Sequence, residues 1–243
     1  MKSKLFMGIA AMLTIVSPAA AAPGVGDPVY GATVTKGLTE FEAVFGRLTG
    51  GSADGDDGAV LEIEHGFTPR LAVAIKIETG RSLGTSRRAD AVAVEVIRTL
   101  GKLGGIDTAI YLEAKKGLHG EPDVIEIKGL FERTRHNFDA RVNLIAEKPL
   151  RDEPVSFGYA ASVDWAVIGD EFRLGAAAFG DLGTAARFGG RQEHYAGPVA
   201  KLGIEHIGPG EIEVEAGYLR AFGAARDNAR GQVRVLLSYE AHF

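Results

Sequence analysis

The chain has 243 residues, with 27 Lys and Arg against 32 Asp and Glu, 33 glycines and no cysteine. The acidic balance argues against a nucleic-acid surface, which needs clustered basic charge. The lack of cysteine excludes a disulfide scaffold and a lipid-anchored N-terminal cysteine.

The first element is MKSKLFMGIAAMLTIVSPAAAAPG. Lys2 and Lys4 precede an apolar run, Leu5 to Val16, that is too short to span a bilayer as a helix. Ser17-Pro18 and small residues in an A-x-A arrangement follow. That order reads as a secretory signal peptide over 1–22. Its removal leaves 25 basic and 32 acidic residues, a net charge of −7. Segment 23–38 (PGVGDPVYGATVTKGL) is expected either in the periplasm or as the start of the first strand, and 39–243 as the barrel.

From residue 39 the period becomes two. TEFEAVFGRL (39–48) is the first strand. AVLEIEH (59–65) sets Leu61 and Ile63 against Glu62 and Glu64. The turn GFTPR leads to LAVAIKIE (71–78), with Leu71, Val73, Ile75 and Ile77 on one face. Alternation over four to eight residues with a turn between is a hairpin signal. ADAVAVEV, TAIYLEAK, VIEIKGLFE, FDARVNLIAE, VSFGYAASVDWAV, FRLGAAAF, AKLGIEH, IEVEAGY and QVRVLLSYEAHF continue it. Short breaks (GKLGG, RHN, IGDE, IGPGE) alternate with longer polar ones (TGGSADGDDG, TGRSLGTSRRAD, KGLHGEPD). The sequence therefore predicts an all-β, antiparallel up-and-down barrel of about twelve strands, with ten to fourteen as the range.

Two architectures share this pattern, one with the apolar face inward and one with it toward lipid. The apolar face is nearly free of charge, and Arg47, Arg98 and Arg220 on it fall near strand ends. Its aromatics also gather toward strand ends, as interface girdles do. The strands are long enough for tilted membrane strands, ~9–11 residues. These features place the polar face inside.

The last strand ends on Phe243, with Tyr239 at an alternate position before it. At these residues the sequence resembles the outer-membrane β-barrel proteins of Gram-negative bacteria. The resemblance implies that Tyr239 and Phe243 form a signal for the barrel-assembly machinery. It also implies outer-membrane lipids and lipopolysaccharide as partners. The hairpin EIEHGFTPRLAVAIKIE resembles an E-x-G-x-T-x-R-L hairpin of small barrels grouped with the MetA-pathway phenol-degradation proteins. Glu64, Gly66, Thr68, Arg70 and Leu71 carry that likeness, which implies a transporter.

By parity the lumen-lining charges are Glu62, Glu64, Lys76, Glu78, Glu95, Glu113, Lys115, Glu126, Lys128, Arg141, Arg173, Lys201, Glu213, Glu215, Arg234 and Glu240. Glu40, Glu42, Glu132, Asp139 and Asp164 share that face. Acids outnumber bases, so a water-filled lumen would favour cations and neutral polar solutes. The same groups could instead close the lumen with salt bridges. Gly158, Ala160, Ala177, Phe179 and Leu219 offer a short apolar lane. Arg47 and Arg220, toward the long-loop end, suit lipopolysaccharide phosphates.

No catalytic residue is assigned. Gly80-Arg81-Ser82-Leu83-Gly84 matches G-x-S-x-G, but a nucleophile elbow joins a strand to a helix, and this stretch joins two strands. The six histidines show no serine partner and no zinc spacing. Asp54, Asp56 and Asp57 depart from calcium-loop spacing. Neither a metal nor another cofactor is expected. The leading function is a passive channel or transporter for small polar or organic solutes. A closed structural or interaction barrel is the second reading, and an outer-membrane lipid-modifying enzyme the third. Pro198 lies within an expected strand whose ladder it cannot complete.

Overall fold

The computed structural model describes residues 25–26 and 28–242. The expected signal peptide over 1–22, residues 23 and 24, Asp27 and Phe243 lie outside the described residues.

Twelve long strands run in order and close on themselves. They are β1 (Leu38–Thr49), β2 (Asp57–Thr68), β3 (Leu71–Arg81), β4 (Arg88–Leu103), β5 (Ile106–Gly117), β6 (Val124–Arg135), β7 (Phe138–Pro149), β8 (Ser156–Ile168) and β9 (Phe172–Thr184), then β11 (Glu193–Ile207), β12 (Gly210–Gly223) and β13 (Gly231–His242). A two-residue strand, β10 (Arg187–Phe188), folds back on the tip of β9. Closure is an antiparallel pairing of β13 with β1, from Leu38↔His242 to Thr49↔Gly231. Closing a sheet leaves no edge with unpaired backbone groups.

The barrel is inside-out by the standard of soluble proteins. Ile75 is 58 % exposed and its neighbour Lys76 only 4 %. Leu61, Leu112, Ile127 and Leu144 face outward, while Glu95, Glu113, Lys128 and Asp164 are buried. An outward apolar band over a polar interior fits lipid outside. Phe41, Trp165 and Tyr239 stand toward the short-turn end of the wall, and Tyr218 and Phe222 toward the long-loop end. Among the described residues, no helix is long and apolar enough to cross a membrane.

The main departure from the sequence reading lies at the start of the chain. Residues 25–37 do not extend β1, which begins at Leu38, and they do not lie outside the barrel. They enter at the short-turn end, where the Gly37 N–H donates to Gly66 O at 2.7 Å, and run up inside the lumen. Each interior apolar cluster includes part of this strap. Val25 packs with Val44 and Val60. Tyr30, Ala32 and Val34 pack with Ala72, Ile97, Ala109, Tyr111 and Leu130. Val29 packs against Ile145, Ala160, Phe179, Tyr195 and Leu219.

Gly66, the glycine of the β2–β3 hairpin motif, has a specific job here. A Cβ on it would lie 2.1 Å from the Thr35 carbonyl oxygen, so only glycine lets the strap pass this point of the wall. Pro198 is accommodated in the same economical way. Pairing of β11 with β9 continues through Pro198↔Ala176. Pairing with β12 lapses at Gly197 and Pro198 and resumes in the same register at Val199↔Gly217.

Candidate functional site: the barrel lumen

On the β3–β6 side, alternation turns charged residues inward from adjacent strands and puts them in contact. Lys76 is the hub. Its Nζ lies 2.7 Å from Glu95 and 3.5 Å from Glu78, and it is also paired with Glu113. Lys115 bridges Glu78 at 2.9 Å and Glu113 at 3.5 Å. Lys128 pairs with Glu126 at 3.1 Å and sits over two aromatic rings, Tyr30 at 4.9 Å and Tyr111 at 4.8 Å. The Tyr111 hydroxyl donates to Glu113 at 2.7 Å. Burying charge in this way is tolerable because each group has opposite charge or hydrogen bonds around it.

The strap is tied to this wall. Tyr30 donates its hydroxyl to Glu62 at 3.2 Å and to Glu95 at 3.4 Å. Asn143 reads the Tyr30 backbone twice, accepting its N–H at 2.7 Å and donating to its carbonyl at 3.0 Å. Glu132 accepts the Ala32 N–H at 2.9 Å, and Thr99 donates to Ala32 O at 3.0 Å. Arg141 holds Glu132 at 3.0 Å and Asp139 at 3.1 Å. Across the lumen, Asp164 accepts from Arg173 and lies 3.2 Å from Lys201, which also faces Glu215 at 3.6 Å.

Between the strap and the wall formed by β12, β13 and β1, a cavity of about 190 Å³ remains. Six carboxylates line it, Glu40, Glu42, Glu211, Glu213, Glu215 and Glu240, with Arg141, Lys201 and Arg234. Strand register explains the crowding. Glu64, Glu40, Glu240 and Glu211 stand in one row across β2, β1, β13 and β12, and Glu62, Glu42, Ser238 and Glu213 in the next. Directly opposed like charges are unfavourable neighbours. Arg234 is 3 % exposed, its Nε has no hydrogen-bond acceptor, and it forms no ion pair among the described residues.

The inward residues expected from parity thus fall into two groups. Lys76, Glu78, Glu95, Glu113, Lys115, Glu126 and Lys128 form one paired cluster. Glu213, Glu215, Glu240, Lys201 and Arg234 line the cavity, where Arg141 joins them. Arg173 binds Asp164 beside it, Glu62 serves the strap, and Glu64 stands in the carboxylate row. Tyr30 and Asn143 escaped the sequence reading as functional residues. Asn143 was on the inward face, but nothing local marks it as the partner of a backbone 113 positions away.

The remaining candidates sit in turns or on the rim. Arg47 and Arg220 are exposed near the long-loop ends of β1 and β12. Asp54 accepts the Gly50 N–H, Asp56 accepts the Leu83 N–H, and Asp57 pairs with Arg81 and Arg87. The Ser82 carbonyl accepts from Thr85 in a turn. His119 and His136 occupy turn positions with φ of 53° and 51°, and His206 sits at the bulge near the end of β11 with φ of 63°. Tyr239 donates to Ile207 O at 3.2 Å, and its companion Phe243 lies outside the described residues.

No protein-family model matches the sequence, and no curated protein matches it. Solved structures do share its fold. A COG4313 outer-membrane channel from Pseudomonas putida F1 superposes with a TM-score of 0.60 at 11 % identity, over 89 % of this chain and 99 % of that one. The KdgM porin superposes with a TM-score of 0.54 at 10 % identity, over 84 % of this chain and 99 % of its own. KdgM has also been solved in complex with disordered oligogalacturonate, a structure that aligns with a TM-score of 0.53 at 10 % identity, over 85 % of this chain and 99 % of that one.

Proposed function

We propose that the protein is a passive outer-membrane channel for small solutes. A cleaved leader over 1–22 would deliver it to the envelope. The carrying observation is a closed barrel with an apolar exterior and a polar cavity along β12, β13 and β1 beside the strap. The shared fold with a channel and a porin supports this reading. Carboxylates outnumber cations in the cavity, which favours cationic and neutral polar solutes over anions. Planar-bilayer recording of the purified barrel tests it. Discrete conductance steps with a reversal potential set by the cation gradient are expected. A folded barrel that never conducts, with or without residues 25–36, overturns it.

One observation favours the alternative of a closed structural barrel: the strap fills much of the lumen and supplies part of each interior cluster. Deleting 25–36 separates the two readings. A channel narrowed by its strap conducts more without it, whereas a barrel whose core is the strap fails to fold. The apolar cluster at Ile145, Phe179, Tyr195 and Leu219, which Val29 of the strap packs against, would suit organic solutes once the strap moves aside, in keeping with the MetA-pathway likeness of the β2–β3 hairpin. At the membrane, the exposed Arg47 and Arg220 would meet lipopolysaccharide phosphates. Tyr239 with Phe243 would serve the assembly machinery.

A further inference from the structure

A cavity lined by glutamates alone would accept any cation that fits. This one also holds a buried arginine with unused hydrogen-bonding capacity. Arg234 lines the cavity, is 3 % exposed, and leaves its Nε without an acceptor. Its cross-strand neighbours are Gly46 on β1 and Gly217 on β12. With no side chain on either flank, the guanidinium can be approached along the wall. A desolvated guanidinium with a free donor favours a planar anionic group that takes two hydrogen bonds. It disfavours a simple dication, which its own charge repels.

The opposite preference begins four residues along the same strand. Glu42 and Glu213 both stand opposite Ser238, and Glu40 and Glu240 follow in the next inward row. None of these four carboxylates has a cation within salt-bridge distance among the described residues. At ~3.3 Å per residue the Arg234 and Ser238 backbone positions are ~13 Å apart. Arg234, Glu42 and Glu213 all line the same cavity, so one small molecule in it can meet all three. We propose that this cavity is a binding site for a basic amino acid, its carboxylate on Arg234 and its side-chain ammonium between Glu42 and Glu213. The inference rests on the channel reading only for how such a solute reaches and leaves the lumen.

Calorimetric titration of the full, folded barrel in detergent tests it, with lysine, cadaverine and glutamate as probes. Cadaverine keeps both ammonium groups and lacks the carboxylate; glutamate keeps the carboxylate and lacks the second ammonium. Lysine is expected to bind at least tenfold tighter than either. Arg234→Gln should bring lysine down to the level of cadaverine, and Glu213→Gln should weaken lysine and cadaverine together. Equal binding of lysine and cadaverine, or no detectable lysine binding by the wild-type barrel, overturns the proposal. Should Arg234→Gln fail to give the heat-modifiable folded band, Arg234→Lys keeps the charge without the fork and should still lose most of the preference. Conductance is recorded separately. A barrel that binds lysine and never conducts sinks the channel reading and leaves the site standing; one that conducts and does not discriminate lysine does the reverse.

Discussion

Two halves of the same lumen solve the problem of buried charge in opposite ways. On β3–β6, Lys76, Lys115 and Lys128 each meet carboxylates, and aromatic rings cover Lys128. On β12, β13 and β1, Glu40, Glu42, Glu213 and Glu240 face one another beside an arginine whose charge acts on Glu42 but which comes within salt-bridge distance of none of them among the described residues. Both halves have the same alternation and the same kinds of residue. They differ in whether cations fall in register with the acids. A paired cluster is cohesive and holds the strap. An unpaired one keeps electrostatic capacity for something that arrives from outside. On the proposed channel reading, cohesion falls to the first half and solute contact to the second.

The contrast is most exposed to failure at Lys76. Lys76→Met leaves Glu78, Glu95 and Glu113 without their shared cation in a buried site, and breaking such a set costs about 3–5 kcal/mol. The temperature at which the folded band converts to the unfolded one on gels should fall sharply. An unchanged transition would remove the claim that this half is cohesive. Next in size is deletion of 25–36. Single-channel conductance should rise several-fold, because the segment being removed fills lumen space beside the remaining cavity.

A middle-sized effect is expected at Asn143. Its side chain makes both of its hydrogen bonds to the Tyr30 backbone, at 2.7 and 3.0 Å. Asn143→Ala would leave a buried N–H and carbonyl unsatisfied, at about 1–3 kcal/mol. The wall should stay folded while the strap loosens. Bilayer recordings should then show brief openings to the level of the deletion variant. A trace identical to wild type would mean that the strap is held by packing alone.

How much of this was legible in the sequence differs between the two halves. The period-two pattern of LAVAIKIE and its fellows located the twelve barrel strands and their faces, because one buried face fixes strand parity. Parity also nominated Lys76, Glu95 and Arg234 alike as inward residues. It could not separate them, since pairing depends on cross-strand register and on which side chains reach one another. The strap was illegible for a different reason. Residues 25–37 have no period, and their partners Glu62, Glu95, Asn143 and Glu132 come from four strands that only closure brings together. Gly66 was visible as a hairpin glycine, but its need for that identity comes from Thr35 passing over it.

Smaller again is Glu240→Gln. In the paired half, removing one charge strands others. Here it relieves repulsion, because Glu240 stands between Glu40 and Glu211 in register. Stability should change by less than about 1 kcal/mol, in the favourable direction. The cation preference of the current should decline measurably. A destabilised barrel would show that the row carries cohesion after all, and would erase the distinction between the halves.

The smallest effect is expected outside the lumen, where solvent screens charge. Arg191 and Asp227 pair on the long loops through two hydrogen bonds, at 2.8 and 2.7 Å, with both side chains well exposed. The hydrogen bonds from Arg191, aided by its charge, hold the Asp227 carboxyl below its ordinary range. A depressed carboxyl favours the folded loop above its ordinary titration range, and that contribution is lost as pH falls through the lowered value. Exposed pairs contribute little to stability, so Arg191→Ala should leave the gel transition where it was at neutral pH. A titration of Asp227 followed by NMR should nonetheless move up toward the ordinary carboxylate range. If the variant lost stability as Lys76→Met does, burial would not be what separates a cohesive ion pair from an incidental one, and the lumen would need a different account.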